Sequence, residues 1–163
     1  MNYQNKQWLL DKRPNGMPED DCWKLNNQSI TSIGKNEILI KVDFLSIDPY
    51  MRGRMNDSKS YADPAKLGEP MTGETVGTVV ESNSSKYLVG DRVCAHQGWQ
   101  TYVKVSDKDP SLFKVENNNM GFFMLYKTVR LIQPKTSITT AQIYVIILLF
   151  CNSHIYKMLT LYC

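Results

Sequence analysis

Apolar and polar positions alternate most clearly over residues 37–44. Ile38, Ile40, Val42 and Phe44 fall on one side, and Glu37, Leu39, Lys41 and Asp43 on the other. That period of two predicts a half-buried strand. Residues 73–81 repeat the pattern, with Val76, Thr78 and Val80 opposite Thr75, Gly77 and Val79. Gly73 and Gly77 within that run predict a bend or the close approach of another backbone. Shorter strands are expected at residues 7–12 around Trp8-Leu9-Leu10, at the edge over 22–25, at 92–95, and at 112–115. Another starts at Gly98 and sets Trp99, Thr101, Val103 and Val105 on one face. Arg13-Pro14-Asn15-Gly16, the polar loop 26–32, residues 82–85 and Gly90-Asp91 separate them as turns. Up to residue 116 no stretch carries a helical period, and six or seven short strands with Gly/Pro turns predict a small, mainly β barrel.

The first strand ends in Ser46-Ile47-Asp48-Pro49-Tyr50-Met51-Arg52-Gly53-Arg54-Met55. Pro49 has no amide hydrogen for a ladder and holds Asp48 extended. A solvated turn favours Ser, Asn, Asp and Gly, whereas this one carries an aromatic, two methionines and two arginines. Two readings stand. One is a short helical turn that packs Tyr50 and Met51 under the barrel, with Arg52 and Arg54 solvated or in structural ion pairs. The other is the wall of a pocket. The long connection 56–70 is either functional or a solvated loop.

Composition narrows the field. The chain has 163 residues, room for one ordinary domain, and a net charge of +3. Its acidic groups all lie within residues 1–116, whereas 117–163 hold basic groups only. No cluster of lysine or arginine with interleaved aromatics points to nucleic acid. Cys22, Cys94, Cys151 and Cys163 form no CxxC pair. A catalytic zinc needs about three protein ligands. Cys94 and His96 share a strand face with no third ligand near in sequence, so no metal is expected. The first residues carry no apolar export core, and a cytoplasmic setting is the expectation.

The stretch at Asp48 to Met55 resembles the DPYMRGRM signature of the zinc-independent alkenal and prostaglandin reductases, a branch of the medium-chain dehydrogenase/reductase superfamily. The likeness runs from about Lys6 to about Met120. It includes Gln7-Trp8-Leu9-Leu10, Gly90-Asp91-Arg92-Val93 and Gly98-Trp99-Gln100. Where the zinc-dependent branch has Gly-His-Glu, this chain has Gly73-Glu74-Thr75. The resemblance implies a GroES-like, partly open β-barrel over residues 1–116. It also implies NADPH as the family's cofactor and a small enal or enone as the molecule whose carbon–carbon double bond is reduced. Tyr50, Met51, Arg52 and Trp99 would line the substrate site. Tyr50 would be the catalytic donor to the carbonyl oxygen, and Arg52 would face a substrate carboxylate or the cofactor.

Residues 117–163 do not continue that likeness. Binding NADPH calls for a strand, a glycine-rich turn and a helix N-terminus. Of nine glycines only Gly121 follows Gly98, so no complete Rossmann domain is expected. Ile132-Gln133-Pro134-Lys135 resembles the lead-in to the first strand of such a domain. The apolar tail has three readings: a truncated or non-native ending, one strand or helix covering the barrel, or a membrane tail anchor, its 19 uncharged residues 138–156 being near a bilayer span. The expectation is a substrate-side domain that alone binds no NADPH, is inactive, and does not form the family dimer. The alternatives are a non-catalytic β binding module and a tail-anchored protein.

Overall fold

The computed structural model describes residues 1–115 and the backbone of Ile146–Leu149. Its strands are Tyr3–Leu10 (β1), Trp23–Ile30 (β2), Glu37–Ile47 (β3), Thr75–Ser82 (β4), Arg92–Ala95 (β5), Tyr102–Ser106 (β6), Phe113–Lys114 (β7) and Ile146–Leu149 (β8). One α-helix, Tyr50–Arg54 (α1), and a 3-10 turn at Asp20–Cys22 complete the described elements. β1 and β2 form an antiparallel pair, and the larger sheet runs β6-β3-β4-β5-β7. β8 pairs antiparallel with β3 over Phe44–Ile47, further along the edge that β6 occupies. The readings of residues 117–163 otherwise lie outside the described residues. No helix among the described residues is long and apolar enough to cross a membrane.

β3 is the spine, paired on both edges. Its alternation is broken by register shifts against β4 at Leu39/Ile40 and at Val42/Phe44. A bulge sets two residues against one and moves the following side chains to the other face. The second shift leaves Asp43 of β3 unpaired, and Leu45 turns inward beyond it; Leu39, placed on the polar face by period alone, is also fully buried, because β3 is covered on both faces there. Gly77 shows why β4 can come so close. A Cβ there would lie 2.2 Å from the Lys41 carbonyl oxygen and 2.7 Å from Ile40 Cγ2.

The first hairpin departs from the sequence reading. β2 extends through residues expected to be polar loop, and β1 begins at Tyr3, with ladder partners from Tyr3↔Ile30 to Leu10↔Trp23. β2 is exposed along most of its length and β1 buries only Asn5, Leu9 and Leu10, so backbone pairing holds them without an apolar period to announce it. The other edge of β1 is stitched to two loops. Trp8 N–H donates to the Trp99 carbonyl at 2.9 Å, Thr101 N–H to Lys6 at 3.0 Å, and Met71 N–H to Trp8 at 3.0 Å. Those bonds partly close the barrel and carry Trp99 and Met71 to its inside. At Gly98 the backbone has φ +78°, and a Cβ would meet the Met71 carbonyl oxygen at 2.4 Å.

Two clusters fill most of the interior. An aliphatic one gathers Ile38, Ile40, Val42, Val79, Val93, Val103 and Val105 under Tyr87 and Leu112. The other joins Leu10, Leu45, Met51, Met55, Met71 and Trp99, with Trp8, Trp23, Ile47 and Tyr50 packed against it.

Candidate functional site

α1 exists because of the residues before it. Pro49, at φ −56° and ψ −31°, already has helical geometry, and its missing N–H costs nothing at a helix start. Met51 N–H then donates to the Asp48 carbonyl at 3.0 Å and Met55 N–H to Met51 at 3.2 Å. The turn drives Met51 and Met55 into the second cluster. Gly73 leaves the space for this, since a Cβ there would stand 3.0 Å from Met51 Cε and 3.1 Å from Leu45 Cδ1.

Three of the four expected site residues meet here. Met51 is buried, Trp99 is buried and stacked on Trp23 with centroids 5.1 Å apart, and Tyr50 packs against the same group. They come from two segments joined only by the barrel, α1 and the loop before β6, and Trp23 at the entry to β2 joins them. Arg52 is placed differently. Its Nε and Nη2 donate to the Gly16 carbonyl at 3.0 and 2.5 Å, and its Nη1 donates to Asn56 Oδ1 at 2.7 Å. With Arg13 Nη1 on the Met55 carbonyl at 2.8 Å, it pins the 13–16 turn to α1. A guanidinium so engaged ties the turn to α1, the structural reading that the sequence left open beside a place facing substrate.

A polar side of the site went unread in the sequence. Asp48 accepts the Ser46 hydroxyl at 2.5 Å. Burial pushes its carboxyl above the ordinary value; the Ser46 bond opposes this, Glu74 adds to it and His96 opposes it. His96 Nε2 lies 2.6 Å from Thr72 Oγ1. Burial first, then the charges of Asp48 and Glu74, push the Tyr50 hydroxyl well above the usual phenol range, while Arg54 pulls the other way. Tyr50 therefore keeps its proton at neutral pH. Tyr61, from the long connection, is largely exposed and close enough to Tyr50 to affect it. The only sequence signal for this group was Glu74 in the place of a metal-binding histidine motif; the rest depends on β3, β4 and β5 lying side by side. No group of three metal-ligating side chains occurs among the described residues.

Two surface hollows, of about 430 and 340 Å³, lie at the far side. Neither touches Tyr50, Met51, Arg52 or Trp99; they follow polar loop and strand edges such as Ser32 and Asn83, or Gln28 and Gln100. The chemistry of the methionine–tryptophan cluster is the better guide, because a site for an apolar ligand needs apolar walls with a few placed polar groups.

Residues 6–115 match the family model described as the N-terminal domain of oxidoreductase. The NADPH-dependent curcumin reductase of Escherichia coli is 43% identical over 98 residues, which are 60% of this chain and 28% of that protein. The NADP(+)-dependent 2-alkenal reductase of Nicotiana tabacum is 33% identical over 120 residues, 71% of this chain and 35% of its own length. Among solved structures, CurA from Vibrio vulnificus in complex with NADPH superposes with a TM-score of 0.63 at 39% identity, covering 69% of this chain and 33% of CurA. The chain thus spans roughly a third of these relatives' length.

Proposed function

From the premise that the chain belongs to this oxidoreductase N-terminal-domain family, in the zinc-independent branch of the medium-chain dehydrogenase/reductases, we propose that residues 1–116 form the substrate-side domain for reduction of the double bond of small enals and enones. The observation that carries the reading is the convergence of Tyr50, Met51 and Trp99 on one cluster. Met51 and Trp99 offer apolar walls to a conjugated chain. Tyr50 offers a protonated hydroxyl to the carbonyl oxygen, where negative charge gathers as the double bond is reduced.

The family's cofactor, NADPH, supplies the hydride when bound. The described residues do not fit it. Their only α-helix has five residues. The described glycines with positive φ, at 16, 68, 90 and 98, sit in turns of the β domain. A pyrophosphate needs a glycine turn at a longer helix N-terminus. We assign the chain's own residues to binding and orienting the substrate and excluding water from it. Alone, the chain turns over no enal, since positioning two reactants is worth roughly 7–11 kcal/mol.

The test is calorimetric titration of the chain with trans-2-nonenal, beside an NADPH-oxidation assay. Saturable binding that weakens in Trp99→Leu, without turnover, is expected. Absence of binding overturns the substrate assignment; turnover overturns the inactivity of the isolated chain.

A further inference from the structure

Among the described residues three buried side-chain polar atoms have no hydrogen-bond partner: Tyr50 Oη, Arg54 Nε and Trp99 Nε1. Each such atom is costly to bury, and folded proteins rarely keep them. The deficit is local. Elsewhere buried polar groups are satisfied: Tyr87 Oη donates to the Leu112 carbonyl at 3.1 Å and Thr75 Oγ1 to Ala95 at 2.9 Å. All three orphans are donors, so what they lack is an acceptor.

Tyr50 and Arg54 stand four residues apart on α1, and such side chains share one face of a helix. Arg54 takes part in none of the ion pairs among the described residues, whereas Arg52 is bound to Gly16 and Asn56. The sequence reading put Arg52, and not Arg54, at the substrate. The fold commits Arg52 to the turn and leaves the Arg54 Nε–H inside.

Resting on the enal reading above, we propose that Arg54 Nε–H and Tyr50 Oη–H donate together to the carbonyl oxygen of the conjugated substrate, which makes Arg54 a second oxyanion donor. A carbonyl oxygen has two lone pairs and accepts both bonds. Donation draws electron density toward the oxygen and leaves the β-carbon electron-poor. When a hydride adds at the β-carbon, the π electrons move toward the carbonyl and the negative charge rests on that same oxygen. A guanidinium N–H, being charged, is roughly twice as strong a donor there as a neutral one. It also offsets Asp48 and Glu74, the carboxyl groups whose fields reach Tyr50.

The experiment uses 4-(dimethylamino)cinnamaldehyde, an enal whose absorption moves to longer wavelength when its carbonyl oxygen accepts hydrogen bonds and to shorter wavelength in an apolar surrounding. The full chain is expected to bind it with a band well to the red of the dye in dioxane. Arg54→Gln and Tyr50→Phe each lose part of that shift, and Arg54→Gln binds about tenfold more weakly. The double variant gives the apolar-solvent band, and Arg52→Gln keeps the full shift. Arg54→Lys, which keeps the charge without the planar Nε–H, also loses part of it and decides the matter if Arg54→Gln does not fold. A bound dye with an apolar-solvent band in the unaltered chain overturns the proposal and leaves the enal slot standing. A full shift in Arg54→Gln or Arg54→Lys overturns the role of Arg54. A dye that does not bind overturns the slot itself, and the proposal with it.

Discussion

The two large clusters of the barrel differ in what fills them and in what they leave unfinished. The aliphatic cluster is mostly β-branched, with Val42, Val79, Val93, Val103 and Val105 around Ile38 and Ile40. Such side chains have few rotamers and lock against their neighbours. Its polar component, the Tyr87 hydroxyl, is hydrogen-bonded. The second cluster relies on Met51, Met55, Met71 and Trp99. Methionine is unbranched and adapts to what it touches. Around it lie buried donors without partners. One end of the domain is packed for stability, and the other keeps pliant walls and unmet hydrogen bonds at a cost in stability.

The sharpest way to break this contrast is at the stable end. Gly77→Ala places a methyl 2.2 Å from the Lys41 carbonyl oxygen. Backbone cannot yield there as a side-chain tip does, so a loss of about 4 kcal/mol or more is expected. Far-UV circular dichroism should show an unfolded chain; a native spectrum would mean that β3 and β4 separate freely. Ile40→Ala, in the aliphatic cluster, should cost about 2–5 kcal/mol in urea unfolding. Dye binding below the transition should be unchanged.

At the pliant end the signs reverse. Tyr50→Phe removes a buried, unpartnered hydroxyl, so it should stabilise the fold by about 1–3 kcal/mol while weakening enal binding. A destabilised variant would show that the hydroxyl already has a partner in solution. Met51→Leu conserves volume and should cost less than about 1.5 kcal/mol, yet shift the bound dye's affinity. Equal effects on stability in Met51→Leu and Ile40→Ala would erase the distinction between the clusters.

The finest prediction concerns pH. Asp48 holds its proton above the ordinary value of 3.8, with burial as the first cause. As pH rises past that value the unfolded chain ionises first. The folded state therefore loses stability until its own raised value is passed, and stays level beyond. Asp48→Asn keeps an acceptor for the Ser46 hydroxyl without the charge. Its melting temperature should exceed the parent's at pH 7, and the two should merge near pH 3. A gap of the same size at both pH values would rule out burial of the charge as its source.

Much was legible in the chain itself. The period of two over 37–44 and 73–81, the Gly/Pro turns and the scarcity of helical period declare a small β barrel, because alternation and turn chemistry are local properties. The motif at Asp48 to Met55 marked the candidate site, and Tyr50, Met51 and Trp99 pack in one cluster. The β1–β2 ladder was not legible, since backbone bonds leave no trace in side-chain pattern, and neither was the bulge that turns Leu45 inward or the burial of Leu39. Nor did sequence point to Arg54: its reading put Arg52 at the substrate. Two residues apart on a short helix, they point in different directions, and only the position of the 13–16 turn decides which one is bound. The sequence by itself determined the class of fold, through periodicity and residue type, and the family, through the signature at Asp48 to Met55. The tertiary structure alone decided which donors are spent on the fold and which remain for a ligand, because hydrogen-bond partners are set by contacts between segments far apart in the chain.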